Sequence, residues 1–598
     1  MTNAARIFLC LALGARLAAQ PAAIPAEEAL HRPTPSRLAA VSAAAQREGW
    51  AAQQAGLRTA ARRAYAAGQL PIADAWLTVA RWAGLWGERE THFIPRWIQA
   101  VTAARVGHRN MPSHYTPRDS PLGYALSPET QAWLLGDSAL SEEFFALLAP
   151  VDYLPRVFQI LDELYRHDAA RVRAYGHLAV AIAVVYDVPP PPDWPHGQVT
   201  AAALPRVLPS ASVAFDWWTG EDRAGRTYHR LDRLPADELK FLVDAAAPPA
   251  ELDWARQISD FPLSELDRAY TMIRYRMDRL TQARPMWPGP TYRLMDILRE
   301  GGICVDQAYF ATELGKARGV PTLFFHGAGR DGRHAWFGYL DGDNRWRLDA
   351  GRYAEQKFVT GFARDPQTWG ELTDHEVQFM AERFHHLPSY SSSRIHGEFA
   401  ADLLADGDAA AATVAARQAV NFERRNEAAW DTLIASTRKS TAAPTAAEAV
   451  MREAALAFQR YPDLEVGYVN RVCASLRARG QTSEAEAEER RLARKHQGSR
   501  TDLSVEQARA ILQRAVATQP LAEQIRTYNS VVDTLGRGAG TAFFDAIVTG
   551  FVAHLGQQHQ PAEARRAIER ARQALNPGAN SQLDRDFIQL STVVARVQ

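Results

Sequence analysis

The chain has 598 residues, with 68 Lys and Arg against 68 Asp and Glu, so its formal net charge at pH 7 is zero. That balance, with no strongly basic stretch, excludes the electrostatic footprint of a nucleic-acid-binding protein. Apolar residues make up 47% and charged residues 23%, an ordinary globular composition, and the length predicts about three domains.

Residues 1–19 read as an export signal. Arg6 gives a positive start, residues 7–15 a short apolar core, and Ala18-Ala19 small residues for cleavage. The reading predicts an exported protein, periplasmic or extracellular, without a transmembrane span, because the apolar stretch is too short to cross a bilayer. Cys10 has no lipobox around it. Without the signal only Cys304 and Cys473 remain, too few for a disulfide framework.

Residues 30–195 predict an alanine-rich helical domain. Trp76, Val79, Ala80, Ala83 and Trp86 fall on one helical face, a spacing that predicts core. Residues 174–186 are apolar nearly all round and predict a buried central helix. The proline run 189–192, followed by Trp194-Pro195, marks a boundary or a stiff connector. Residues 196–250 form a connecting region. Strand-like stretches at 212–218 and 227–231 predict a small sheet there, packed on the core that follows.

That core is placed at 251–365. Residues 266–280 predict a helix. Gly301-Gly302-Ile303-Cys304 then leads into a second helical run, which stops at Gly319. Residues 320–325 predict a buried strand, His334 opens another through Leu340, and Asp341-Gly342-Asp343-Asn344 turns the chain into a third at 345–349. A thiol at a helix N-terminus faces the positive end of the helix dipole, which favours thiolate. The two glycines let the chain turn sharply into that helix. An imidazole beside such a thiol takes its proton, and a carboxylate on the far ring nitrogen fixes the tautomer. Cys304, His334 and Asp349 are therefore the candidate catalytic residues, as nucleophile, base and orienting group.

On Gly302-Ile303-Cys304-Val305-Asp306, Gly319-Val320-Pro321, His334-Ala335-Trp336 and Leu348-Asp349, the chain resembles the transglutaminase-like superfamily over residues 246–365. The resemblance implies an α+β, papain-like or transglutaminase-like core, with a nucleophile helix and an antiparallel sheet. It also implies acyl transfer through a thioester on Cys304, with a protein or peptide substrate and no cofactor or metal. Water as acceptor makes a peptidase or amidase, the preferred reading; a lysine-like amine makes a crosslinking transglutaminase. A scaffold that retains the fold without catalysis is the alternative of another class. Zinc on Cys304, His326, His334 and Asp349 is disfavoured, because the close ligand pairs of zinc sites are missing. Asp306, in the first turn of the helix, reads as a structural cap. The Cys304 N–H is the first oxyanion donor, and Trp287, Tyr292 and Gln307 are candidates for the second.

Residues 396–598 predict a helical solenoid that resembles tetratricopeptide repeats. Gly407, Gly480 and Gly556 each stand between helical segments, at spacings near twice a repeat of about 34–38 residues. Arg425-Asn426 and Tyr461-Pro462 recur at the same period. Such repeats offer a concave surface for a protein partner, or serve as a helical stabilising domain with no ligand.

Overall fold

A computed structural model describes residues 24–104, 118–282, 284–353, 359–441 and 443–596. The expected signal at 1–19, with Cys10, lies outside them. Among the described residues no helix is long and apolar enough to cross a membrane. The chain forms two compact units, residues 24–90 with 118–141 and residues 91–104 with 142–596. Its class is α+β, mostly helix with one five-stranded antiparallel sheet.

In the smaller unit, Thr34 caps the helix Pro35–Glu48 by accepting the Arg37 N–H at 3.2 Å, and Pro35 sits in the first turn, where a missing N–H costs nothing. The helices Trp50–Ala66 and Leu70–Gly87 pack on each other. The predicted stripe is core: Trp76, Val79, Ala80, Ala83 and Trp86 are all buried. Trp86 stacks on Trp82 with ring centroids 4.7 Å apart and meets Trp50 edge-on at 4.8 Å. The Trp50 indole N–H donates to Gln131 at 3.1 Å, so the ring is buried with its polar edge satisfied.

In the larger unit, the predicted central helix is Gly176–Val185, buried at every position. Being apolar all round, it needs cover on all sides. Leu154–His167 supplies it from before the proline run, and Ala211–Arg223 and Ala236–Val243 from after it. The proline run therefore does not divide compact units, and the domain expected at 30–195 is shared between the two. The strands expected at 212–218 and 227–231 are corrected. The first is the helix Ala211–Arg223, with Ala211, Ala214, Phe215 and Trp218 buried at three- and four-residue spacing. The second is coil, which still lies against the core: Tyr228 N–H donates to the Arg318 carbonyl at 2.7 Å, and the His229 ring nitrogen lies 3.1 Å from the Leu340 carbonyl.

Strands β1 (Thr322–Ala328), β2 (Arg333–Leu340), β3 (Trp346–Ala350), β4 (Phe362–Arg364) and β5 (Glu371–Thr373) lie in the order β3-β2-β1-β4-β5. Gly327 pairs with His334 and Phe325 with Trp336. The predicted β2–β3 turn forms around the Asp341 carboxylate, which accepts the N–H groups of Asp343 and Arg345 at 2.9 and 3.0 Å. Phe337 pairs with Ala350 but Tyr339 with Arg347, so β3 carries one extra residue, a bulge at Leu348 and Asp349.

From Pro388 onward the chain is helical, with most helices packed on the next. Arg417–Glu453 and Arg452–Glu488 pair across 36 residues, and Arg500–Asp463 and Arg570–Asp533 across 37. This ladder gives the expected repeat period. Gly407 and Gly480 turn the chain with φ of +91° and +78°, whereas Gly556 lies inside the helix Thr549–Gln557 and His559 takes the left-handed position.

Candidate functional site

Gly301 has φ +76°, and a Cβ added there would lie 2.5 Å from the Arg274 carbonyl oxygen, so only glycine fits. Gly302 N–H donates to that same carbonyl at 3.0 Å, and Arg276 N–H donates to the Gly302 carbonyl at 2.8 Å. The Gln307 side chain donates to the Ile273 carbonyl at 2.9 Å. These bonds occupy the backbone of 273–276. They break the helix expected over 266–280 into Arg268–Thr271 and Met277–Thr281.

Cys304 is the first residue of the helix Cys304–Ala317, of which every later residue is buried. The cysteine itself is half-buried. Burial pushes its thiol up, against the backbone N–H of Ala335, which pulls it down; nearby Asp306 pushes up again, and the N–H groups of Val305 and Cys304 pull down. Burial is thus the largest influence on the thiol, and it opposes the helix N-terminus.

His334, on β2, is 5% exposed. Its Nε2 lies 2.8 Å from the Gly351 carbonyl and 3.5 Å from the Tyr270 hydroxyl, which itself donates to the Ala335 carbonyl at 2.8 Å. A carbonyl only accepts, so in the neutral ring Nε2 carries the proton and Nδ1 the lone pair. Tyr353 stacks on the imidazole at 4.2 Å. The Tyr270 and Tyr275 phenols are both pushed up, chiefly by burial and then by Cys304. The structure thus gathers Cys304, Tyr270, Tyr275 and His334 in one place. Among the described residues no hydrogen bond joins Cys304 to His334.

Asp349 is not brought in. It is exposed on the β3 bulge, and among the described residues its side chain makes no hydrogen bond to His334. Gly351, two residues on, supplies the acceptor instead. Its φ is +90°, and an added Cβ would lie 2.5 Å from the Tyr270 ring.

Asp306 is structural, as expected, and fully buried. Its carboxylate accepts the Ile303 N–H at 2.7 Å, the Arg279 guanidinium at 2.6 Å and the Tyr292 hydroxyl at 2.7 Å. The Tyr292 oxygen lies 2.9 Å from His196 Nε2, and burial pushes that imidazole down to about 3. Sequence reasoning missed Arg279 and His196, which lie 27 and 110 positions before Asp306. The three proposed oxyanion donors are all engaged elsewhere: Trp287 donates to the Thr291 carbonyl, Tyr292 to Asp306 and Gln307 to the Ile273 carbonyl. The Ala335 N–H acts on the thiol from outside its own helix, pulling it down. His326 lies on β1, its ring stacked near Phe362 at 6.1 Å. Among the described residues no three His, Cys, Asp or Glu side chains gather where they could hold a metal ion. No protein-family model, curated protein or solved structure matches the chain, so the chemistry of these residues carries the functional argument alone.

Proposed function

We propose that this chain is a cysteine-dependent acyl-transfer enzyme. It cleaves peptide or glutamine amide bonds through a thioester on Cys304, with water as acceptor, in a papain-like or transglutaminase-like core. The observation that carries the reading is the packing of β2, which bears His334, on the helix that begins at Cys304, with the His334 Nε2–H committed to the Gly351 carbonyl at 2.8 Å. With Nε2 protonated, Nδ1 is the basic nitrogen of the neutral ring and is assigned the role of base. With the thiol pushed up by burial, the attack is assigned general-base catalysis. The proton passes to Nδ1 as sulfur bonds to the carbonyl carbon, the imidazolium returns it to the departing amine, and water then cleaves the thioester by the reverse sequence. Gly351 holds the ring in the role first assigned to Asp349.

The scaffold reading is favoured by two observations, the exposed Asp349 and the raised thiol. The readings separate with p-nitrophenyl acetate as acyl donor and mass spectrometry of the acylated cysteine. Wild type should acylate at Cys304, and His334→Ala should be slower by about a hundredfold or more, the usual worth of a general base. Hydroxylamine in the assay reports the acceptor, as trapped hydroxamate. Equal, slow acylation of Cys304 in wild type and His334→Ala, no faster than at Cys473, sinks the enzyme reading.

A further inference from the structure

The β1–β2 turn, immediately before His334, is held by the far end of the chain. Gly329 carbonyl accepts the Thr541 N–H at 2.9 Å. The Asp331 carboxylate accepts the Gly578 N–H at 2.8 Å, and its carbonyl accepts the Leu583 N–H at 3.1 Å. Arg333 N–H donates to the Gln582 side chain at 2.8 Å. The Arg333 guanidinium forks onto the Asp545 carboxylate, Nε to Oδ2 at 3.0 Å, and also reaches Asp586 at 2.9 Å. Asp545 stands in a π-helical turn, Phe544–Val548, an insertion that re-aims side chains and recurs at functional sites. The approach is close: a Cβ added to Gly540 would lie 2.6 Å from the Arg330 Cα and from the Gly329 oxygen.

A partly exposed ion pair by itself stabilises little. Here two carboxylates and four backbone bonds converge on five residues of a turn, which fixes geometry more than it adds energy. We propose that Arg333, Asp545 and Asp586 are positioning residues for His334. On this view the C-terminal helices are part of the site, holding the start of β2 and with it the strand that carries the imidazole. The proposal rests on the His334 role given above.

The test uses the full chain with Asp545→Asn and Asp586→Asn together, beside wild type and His334→Ala. The pH profile of Cys304 acylation by p-nitrophenyl acetate is recorded for each, with hydrogen exchange at residues 329–336. The double variant should acylate about tenfold slower, since sub-ångström misplacement of a base is costly. Its pH profile should also move toward that of His334→Ala, while the turn exchanges faster and Asp545→Glu, which keeps a carboxylate, restores part of the rate. If the double variant does not fold, Arg333→Lys, which keeps the charge but cannot fork, takes its place with the same expectation. A variant profile that superimposes on wild type, while His334→Ala differs, overturns the positioning role alone. An unchanged exchange rate at the turn also overturns it. A His334→Ala profile equal to wild type overturns both this proposal and the enzyme reading.

Discussion

The two ends of the helix Cys304–Ala317 bury charge in different ways. At the N-terminal end the Asp306 carboxylate receives a guanidinium, a phenol and a backbone N–H, so a fully buried charge has several strong partners. Toward the C-terminal end, among the described residues, Glu313 receives only the backbone N–H groups of Ala247 at 2.9 Å and Ala246 at 3.3 Å. Burial pushes its carboxyl up to about 7, with Lys316 pulling it down and Asp244 pushing it up. The Lys316 ammonium is itself bonded to Asp244. Burial pushes the Asp306 carboxyl up as well, against Arg279, the Ile303 N–H and Tyr292, so the two ends differ in how many partners oppose the desolvation. The filled end is the one that carries the candidate nucleophile.

That contrast can be broken most severely at Asp306. Asp306→Ala leaves Arg279 buried without its carboxylate and should cost about 3–5 kcal/mol. It should appear as a lower urea midpoint and as faster hydrogen exchange around Cys304; an unchanged midpoint would mean that the network is ornamental. The opposite end sharpens the comparison through pH. Glu313 titrates near 4.5 when unfolded and near 7 when folded, so the folded state holds the extra proton between those values. Stability from this group is complete below about pH 4.5 and lost as pH rises through 7. At 1.36 kcal/mol per unit, the loss is roughly 3 kcal/mol. Glu313→Gln should therefore gain on wild type from pH 5 to about 7 and level off above it, and a difference that stays constant from pH 5 to 7 refutes the assignment. The smallest effect belongs to Tyr292→Phe, which removes one bond to a charged group and should cost about 1.5 kcal/mol. Its urea midpoint should lie between those of wild type and Asp306→Ala; a midpoint equal to wild type would exclude the phenol from the network.

The elements around Cys304 were legible because strong punctuation bounds them. Gly301-Gly302 opens the helix, Gly319 closes it, and Asp341 to Asn344 sets the hairpin. The third site residue was misplaced for a physical reason. A sheet face depends on register, and one extra residue in β3 puts Asp349 on a bulge facing solvent. The clue was Gly351, a position where the tyrosine ring beside it admits no side chain. β4 and β5, three residues each, are too short for alternation to show. The break in 266–280 was hidden because the carbonyls that end the helix are claimed by residues some thirty positions later. The Asp306 partners and the Arg333 clamp were beyond reach, because sequence pattern reports periodicity and neighbours and carries no signal for pairs 212 residues apart.

The grip on the β1–β2 turn bears on how the protein comes into being. A chain is made from its N-terminus, and the residues that hold this turn, from Thr541 to Asp586, are synthesised long after it. At ribosomal speeds of about 5–20 residues per second, roughly 13–50 seconds separate Arg333 from Asp586. Over that interval Cys304 and His334 already exist, but the turn before His334 has nothing to rest on. A fragment cut short before Thr541 would therefore carry both residues without the contacts that hold the turn before His334.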